Sequence, residues 1–308
     1  MKAMVCTNYG LPDVLQLAEV PKPAPKDGEV LVKIHAATVA SGDLRVRSFT
    51  SPWLFWIPMR LFLGLRRPRK AILGVELAGE IERVGKGVTR FKQGDRVFAL
   101  TGMRFGAYAE YTCVPEGGVI APKPANATYE EAAAVPMGGT NALYFLRKGQ
   151  IRSGQNVLIY GASGAVGTMA VQLAKYFGAD VTGVCSTANL ELVRSLGADR
   201  TLDYTKEDFT KRGERYDLIF DAVGKLKKNL SIQALKPTGK YVTVEGQGMS
   251  QVKPDDLELI RELMESGKIK AVIDRRYALE QIPEAHRYAE TGRKKGAVII
   301  QIGRADEK

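Results

Sequence analysis

Small residues crowd into Gly161-Ala162-Ser163-Gly164-Ala165-Val166-Gly167 at a spacing suited to one task, which is to let a backbone approach a diphosphate. The run follows an apolar strand-like stretch, Asn156–Tyr160, and opens a segment (164–177) in which Val166, Met169, Ala170, Leu173, Ala174 and Phe177 recur at helical spacing. The spacing is AxGxxG, the dinucleotide fingerprint with alanine in its first position. Gly164 admits the pyrophosphate, Gly167 lets helix and strand pack closely, and the helix start at Ala165 and Val166 offers free N–H groups and a positive dipole end. A strand before the loop and a helix after it are the context this motif requires.

The second strand of such a unit, Asp180–Cys185, ends without the Asp or Glu that normally accepts the adenine ribose hydroxyls. Ser186, Thr187 and Asn189 stand there instead, and hydroxyl and amide groups bond a 2′-phosphate without repelling it. NADPH is therefore expected over NADH, with Arg194 as an added charge if it faces the site. Ser186 and Thr187 also suit the cap of the next helix.

Around this motif the chain changes rhythm. Residues 30–36, 79–84 and 94–99 read as short strands with turn punctuation, a β-rich, barrel-like pattern. From about Tyr129 strands alternate with helices: Asn156–Tyr160, Asp180–Cys185, Tyr216–Asp221 and 239–244 are strands, and helices at 164–177 and 190–196 end at Gly178 and Gly197. Alternation of this kind demands right-handed crossovers and a parallel sheet, so the fold class is α/β. With 308 residues, 45% hydrophobic and 26% charged, the composition excludes disordered and fibrous classes. Three widely spaced cysteines fit neither a zinc nor a disulfide framework, and the N-terminal residues lack a long apolar run, so a cytoplasmic protein is expected.

Taken together, Gly94-Asp95-Arg96-Val97, Gly106-Ala107-Tyr108-Ala109-Glu110-Tyr111, Gly138-Gly139-Thr140, the fingerprint loop with Gln172-Leu173-Ala174-Lys175, Leu196-Gly197-Ala198-Asp199 and Gly267-Lys268-Ile269-Lys270 resemble the medium-chain dehydrogenase/reductase superfamily, in its zinc-free quinone oxidoreductase branch. The resemblance implies a GroES-like β-barrel domain (1–124 with 251–308), a Rossmann doubly wound parallel sheet (125–250) and an active site in the cleft. It places Thr140 near the nicotinamide, Ala222, Val223, Glu245 and Gly246 at its ribose, and Tyr204 beside the adenosine phosphate, with Gly161 and Ser163 in the phosphate loop. Where zinc-dependent relatives carry metal ligands this chain has Ala40 and Val75, neither of which coordinates a metal. The implied activity is NADPH-dependent reduction of quinones or α,β-unsaturated carbonyls. Ser41 and Tyr108 are the hydroxyl candidates for proton transfer, whereas Asp43 reads as a loop holder, Glu76 as a buried carboxylate paired with an arginine, and His35 and His286 as structural.

Lys and Arg exceed Asp and Glu by 45 to 34, and seven of the basic residues lie between Leu44 and Val75 with no acidic one among them. Residues 53–65, with Trp53, Trp56 and Phe62, read as an apolar lid over the cleft, although aromatic and basic residues side by side also resemble a membrane-surface anchor. A non-catalytic NADPH-binding protein that meets nucleic acid or membrane through its basic face is the competing reading, and no specific nucleic-acid contact is expected. A homodimer is the assembly the resemblance suggests, yet the stretch after Gly246 that often forms its interface is short here by about one strand and its connection.

Overall fold

A computed structural model describes residues 1–50, 56–245 and 250–303, with the backbone alone for residues 56, 57 and 230. The N-terminal segment supplies strands β1 (Lys2–Cys6), β2 (Leu15–Glu19) and β3 (Glu29–Thr38), helices α1 (Ser41–Ser48) and α2 (Trp56–Leu63), strands β4 (Glu76–Val84), β5 (Arg96–Leu100), β6 (Tyr111–Pro115) and β7 (Val119–Pro122), and helix α3 (Tyr129–Ala133). The middle gives α4 (Pro136–Lys148), β8 (Asn156–Tyr160), α5 (Ala165–Tyr176), β9 (Asp180–Cys185), α6 (Leu190–Ser195), β10 (Arg200–Asp203), β11 (Tyr216–Asp221), α7 (Lys228–Gln233), β12 (Leu235–Thr243) and α8 (Pro254–Glu265). The tail adds β13 (Ile273–Ala278), α9 (Ile282–Glu290) and β14 (Ala297–Gln301).

Two compact units result, Met1–Pro136 with Ile273–Lys308, and Met137–Val272. In the first, the order is β13-β14-β3-β4-β5-β7, with β6 also paired to β3. Strand β3 is long enough to serve two partners on one edge: its first half pairs β6 and its last residues pair β14. The C-terminal tail thereby completes a sheet begun near the N-terminus.

In the second unit the parallel order is β10-β9-β8-β11-β12. Val157, Leu158 and Ile159 of β8, and Leu218, Ile219 and Phe220 of β11, are all fully buried, as strands covered on both faces must be. The chain leaves β8 toward β9 and returns to its other side as β11, so the direction of winding reverses at β8, where α/β sheets open a crevice at their carboxyl ends.

The units divide after residues 136 and 272 rather than after 124 and 250, and α8 explains the second boundary. Its Leu257, Ile260, Leu263 and Met264 are buried, and Ile260 Cδ1 lies 2.7 Å from where a Cβ on Gly139 of α4 would stand. Beyond α8, the Gln172 amide of α5 donates to the Lys270 carbonyl at 3.0 Å and accepts the Lys270 N–H at 2.8 Å, as a strand neighbour would.

Candidate functional site

The fingerprint loop joins β8 to α5 at this winding reversal. Gly164 is the residue before the first turn of α5, and a Cβ on Gly167 would fall 2.0 Å from the Gly161 carbonyl oxygen, so only glycine allows α5 to start this close to the end of β8. The N–H groups of Ala165, Val166 and Gly167 belong to the first turn and have no helical carbonyl to bond, which leaves them for an anion.

Next to the loop, the Asn189 amide donates to the Ser163 hydroxyl at 3.1 Å and to the Ser186 hydroxyl at 3.2 Å. Each serine oxygen is thus occupied as an acceptor, and its own proton remains to be donated. Asn189 Oδ1 is buried without a partner among the described residues, an orphan that a bound polar group would satisfy. Open first-turn N–H groups, two oriented hydroxyls and this orphan fit a phosphorylated dinucleotide.

Thr187 differs from the sequence reading. Its hydroxyl donates to Asp203 Oδ2, at the end of the neighbouring β10, and the Thr205 hydroxyl donates to Asp203 Oδ1 at 2.7 Å. These hydroxyls hold the Asp203 carboxyl below its ordinary value, so a carboxylate stands beside the second strand after all, supplied by the third. Arg194 is drawn away from the site, paired with Glu191 and donating to the Thr201 hydroxyl at 3.1 Å. Tyr204, 54% exposed, lies 6.1 Å from Tyr160 at the strand ends, a flat surface beside the serines.

On the other flank, Asp221 ends β11 and shapes the following turn. Its Oδ1 accepts the N–H groups of Val223 (3.1 Å) and Gly224 (2.9 Å), and its Oδ2 accepts that of Leu226 (2.8 Å). Val223 is thereby pressed toward Gly161, with Cγ1 2.6 Å from where a Cβ on Gly161 would stand, and Ala222 is buried beneath it. Glu245 is exposed, packed near Gly224, while Gly246 lies outside the described residues. Thr140, in α4, is fully buried.

The first unit holds a separate buried polar cluster. Asp43, at the third position of α1, accepts the N–H groups of Ala40 and Gly74, each at 3.0 Å, and the Tyr108 hydroxyl at 3.2 Å. It therefore fixes the backbone beside both Ala40 and Val75, the positions at which the resemblance expects metal ligands in zinc-dependent enzymes. Burial pushes its carboxyl up to about 7 despite those donors. Tyr108 also meets His286 Nε2 at 3.1 Å, and Arg47 Nε donates to His286 Nδ1 at 3.2 Å while its other nitrogens reach the Gly10 carbonyl and Glu290. Burial, reinforced by the Arg47 charge, pushes His286 down to about 3, so the ring is neutral. Asp43, Arg47, Tyr108 and His286 are all fully buried, whereas Ser41 is exposed at the start of α1.

His35 stacks on Tyr129 with centroids 4.4 Å apart. Glu76 is buried and accepts from the Thr38 hydroxyl, and its charge acts on Lys294. Lys294 escaped the sequence reading because it stands in a basic run, Arg293-Lys294-Lys295, that looks like a solvated turn. Burial lowers its pKa against the opposing pull of Glu76, Asp274 and Asp43. Of the three aromatic residues assigned to a lid, Trp53 lies outside the described residues, Trp56 opens α2 without a described side chain, and Phe62 is 62% exposed.

Comparison with known proteins agrees with this geometry. Residues 26–125 match the alcohol dehydrogenase GroES-like domain family and residues 165–285 the zinc-binding dehydrogenase family. Among the described residues no three His, Cys, Asp or Glu side chains are grouped to hold a metal ion. The chain is 37% identical to 2-methylene-furan-3-one reductase of Solanum lycopersicum and 34% identical to the chloroplastic NADPH-dependent alkenal/one oxidoreductase of Arabidopsis thaliana, in each case over 97% of this chain and 79% of the relative. The quinone oxidoreductase structure from Coxiella burnetii superimposes with a TM-score of 0.88 at 28% identity, over 98% of this chain and 99% of that one. With its GroES-like and dinucleotide-binding parts both matched, the chain belongs to the medium-chain dehydrogenase/reductase superfamily, in the quinone oxidoreductase branch of these pyridine-nucleotide-dependent oxidoreductases.

Proposed function

We propose that the chain is an NADPH-dependent reductase of quinones or α,β-unsaturated carbonyls that works without a metal. The observation that carries this reading is the loop at the end of β8 flanked by the Ser163–Asn189–Ser186 cluster, in a chain closely related to enone and quinone reductases. When bound, the nicotinamide supplies the hydride, and the protein orients it and excludes water. The open N–H groups of Ala165, Val166 and Gly167 hold the pyrophosphate, while Gly161 and Gly164 shape the loop and let it approach. Ser163 and Ser186 donate to the adenosine phosphates, Asn189 orients both serines and offers Oδ1 to a donor such as a ribose hydroxyl, Tyr204 is a stacking surface, and Thr187 fixes the loop through Asp203. Ala222, Val223, Glu245 and Gly246 border the second ribose, and Thr140 stands at the nicotinamide end.

Asp203 carries the same sign as a 2′-phosphate, but it is only 5% exposed and both its oxygens already accept hydroxyl protons from Thr187 and Thr205. Ser186, half-buried and with its hydroxyl proton left to donate, favours NADPH. Reduction of a polarised acceptor also consumes a proton. Asp43, with its carboxyl raised to about 7, holds one near neutral pH and shares a hydrogen bond with Tyr108. Ser41 is the exposed hydroxyl of the same helix. The absence of ligating atoms at Ala40 and Val75 leaves acceptors that need hydride and a proton but no Lewis acid.

The test is oxidation of NADPH and of NADH against a panel of quinones and enones. Turnover with NADPH at a kcat/KM at least tenfold above that with NADH is expected. Equal use of both cofactors would overturn the cofactor assignment, and no turnover of any acceptor would leave only a dinucleotide-binding protein.

A further inference from the structure

Helix α2 carries its charge inward and its apolar side chains outward. Pro58, Leu61 and Phe62 recur at i, i+3 and i+4 on one exposed face of the helix, and Leu65, beyond the turn at Gly64, is exposed too, with Leu61, Phe62 and Leu65 exposed by 58%, 62% and 66%. Arg60, which snorkelling would normally send to solvent, turns the other way. Its guanidinium lies over the rings of Tyr9 and Phe49 at 4.6 and 4.2 Å and donates to the Leu65 carbonyl.

The arrangement is fastened in place. Tyr9 donates its hydroxyl proton to the Gly64 carbonyl at 3.0 Å, and the Arg69 N–H donates to the Leu63 carbonyl at 2.6 Å. Gly64, at φ 127°, makes the turn between them, and a Cβ there would fall 2.1 Å from the Arg67 carbonyl oxygen. Immediately after the stripe come Arg66, Arg67, Arg69 and Lys70, all exposed, within a stretch that contains no acidic residue from Leu44 to Val75.

We propose that this face docks on the surface of an anionic lipid bilayer, with Leu61, Phe62 and Leu65 entering the headgroup boundary and the four basic residues meeting lipid phosphates. Charge complementarity selects the partner: an apolar stripe followed by four exposed cations, in a stretch of chain without an acidic residue, suits a surface that is apolar beneath and anionic on top. Docking of this kind needs no spanning segment, and no helix among the described residues is long and apolar enough to cross a membrane. The inference is independent of which acceptor the enzyme reduces.

Cosedimentation of the full chain with vesicles of phosphatidylcholine alone, or with about one third phosphatidylglycerol, tests it. Binding at least tenfold stronger to the anionic vesicles is expected, weakened by 0.5 M salt on the screening scale of exposed charges. Two variants separate the parts: Leu61→Ser with Phe62→Ser removes the stripe, and Arg66→Gln with Arg67→Gln removes charge. Both alter exposed side chains, both should keep the wild-type melting temperature, and each should lose at least tenfold in vesicle binding. Three results would overturn the proposal. One is equal binding to both vesicle types. Another is unchanged vesicle binding by the serine variant with a raised KM for bulky quinones, which makes the segment a lid. The third is a monomer produced from a dimer by the serine variant, without loss of vesicle binding, which makes the stripe a contact between copies.

Discussion

A guanidinium can only donate, and at Arg47 this one constraint orders the protons of three buried neighbours. His286 Nδ1 must accept from Arg47 Nε, so the neutral ring carries its hydrogen on Nε2. That hydrogen goes to the Tyr108 oxygen, and the Tyr108 hydrogen in turn goes to Asp43. The neutral ring has a consequence in solution. Between the ordinary histidine value of 6.5 and about 3, the unfolded chain binds a proton at His286 that the folded chain does not, so this residue removes stability as pH falls. Asp43 acts in the opposite sense, because the folded state keeps a proton that the unfolded state loses between 3.8 and about 7, and its contribution fades as pH rises. Relative to wild type, His286→Gln should therefore gain about 1.4 kcal/mol per pH unit as pH falls from 6.5 toward 3. Denaturant titrations at several pH values measure this, and a wild-type-minus-variant difference that is flat with pH would refute a buried neutral ring. On the cofactor side, Ser186→Asp sets a carboxylate where the 2′-phosphate is expected. It should weaken NADPH by about tenfold or more while changing NADH little, as read by fluorescence quenching. Sequence alone singled out Tyr108, Asp43 and the serines, because their types announce hydrogen bonding. It missed the relay and the Asp203 contact, because residues 47 and 286, or 187 and 203, become neighbours only through pairing of distant strands and helices.

Among the elements, the strand–loop–helix around residues 156–176 was legible nearly residue for residue. An apolar run, a glycine loop and a helical stripe closed by Gly178 leave little freedom, and β8, β9 and β11 begin and end where their apolar runs do. Strand β12 begins earlier than expected, at Leu235 instead of Gly239, because Leu235 already pairs with Tyr216 of β11; a bulge over residues 236–239, which read as a turn, follows before pairing resumes between Lys240 and Leu218. Helix α2 was the least legible, since residues 56–63 are apolar on nearly every position and show no polar face. A test at this scale is Gly167→Val. The new side chain must displace the Gly161 carbonyl 2.0 Å from its Cβ, which lifts α5 off β8 and opens the loop. Loss of about 1–3 kcal/mol of stability and a fall in NADPH affinity of tenfold or more are expected. Unchanged affinity would mean that the loop does not hold the diphosphate.

At the scale of the whole chain, the division into two units follows from one arrangement: the dinucleotide-binding part is inserted between the two stretches of the barrel part. The alternation of strand and helix patterns announced an α/β protein, but the boundary at residue 272 depends on packing of α8 against α4 and on the Gln172–Lys270 pairing, neither of which that alternation encodes. Metal dependence is also a property of the whole enzyme. With Ala40 and Val75 in the ligand positions, exhaustive chelation should leave reductase activity within about 20% of the untreated value, a change too small to reflect loss of several kcal/mol of Lewis-acid stabilisation. Stoichiometric zinc in the purified protein, with activity lost to chelator and restored by zinc, would contradict this.

The insertion also sets a schedule. Arg47 meets His286 and Glu290 across 239 and 243 residues of sequence, and β3 meets β14 at a similar remove. At a ribosomal rate of about 5–20 residues per second, roughly 12 to 50 s pass between emergence of the arginine and emergence of its partners. Within that interval the whole inserted unit is translated and becomes free to fold, while the barrel begun first waits with an uncovered strand edge and a cation lacking its anion. The part of the protein made earliest is thus the part finished last. A nascent chain stalled before residue 273 would carry a completed dinucleotide fold joined to an open sheet, the form in which this protein most needs a chaperone.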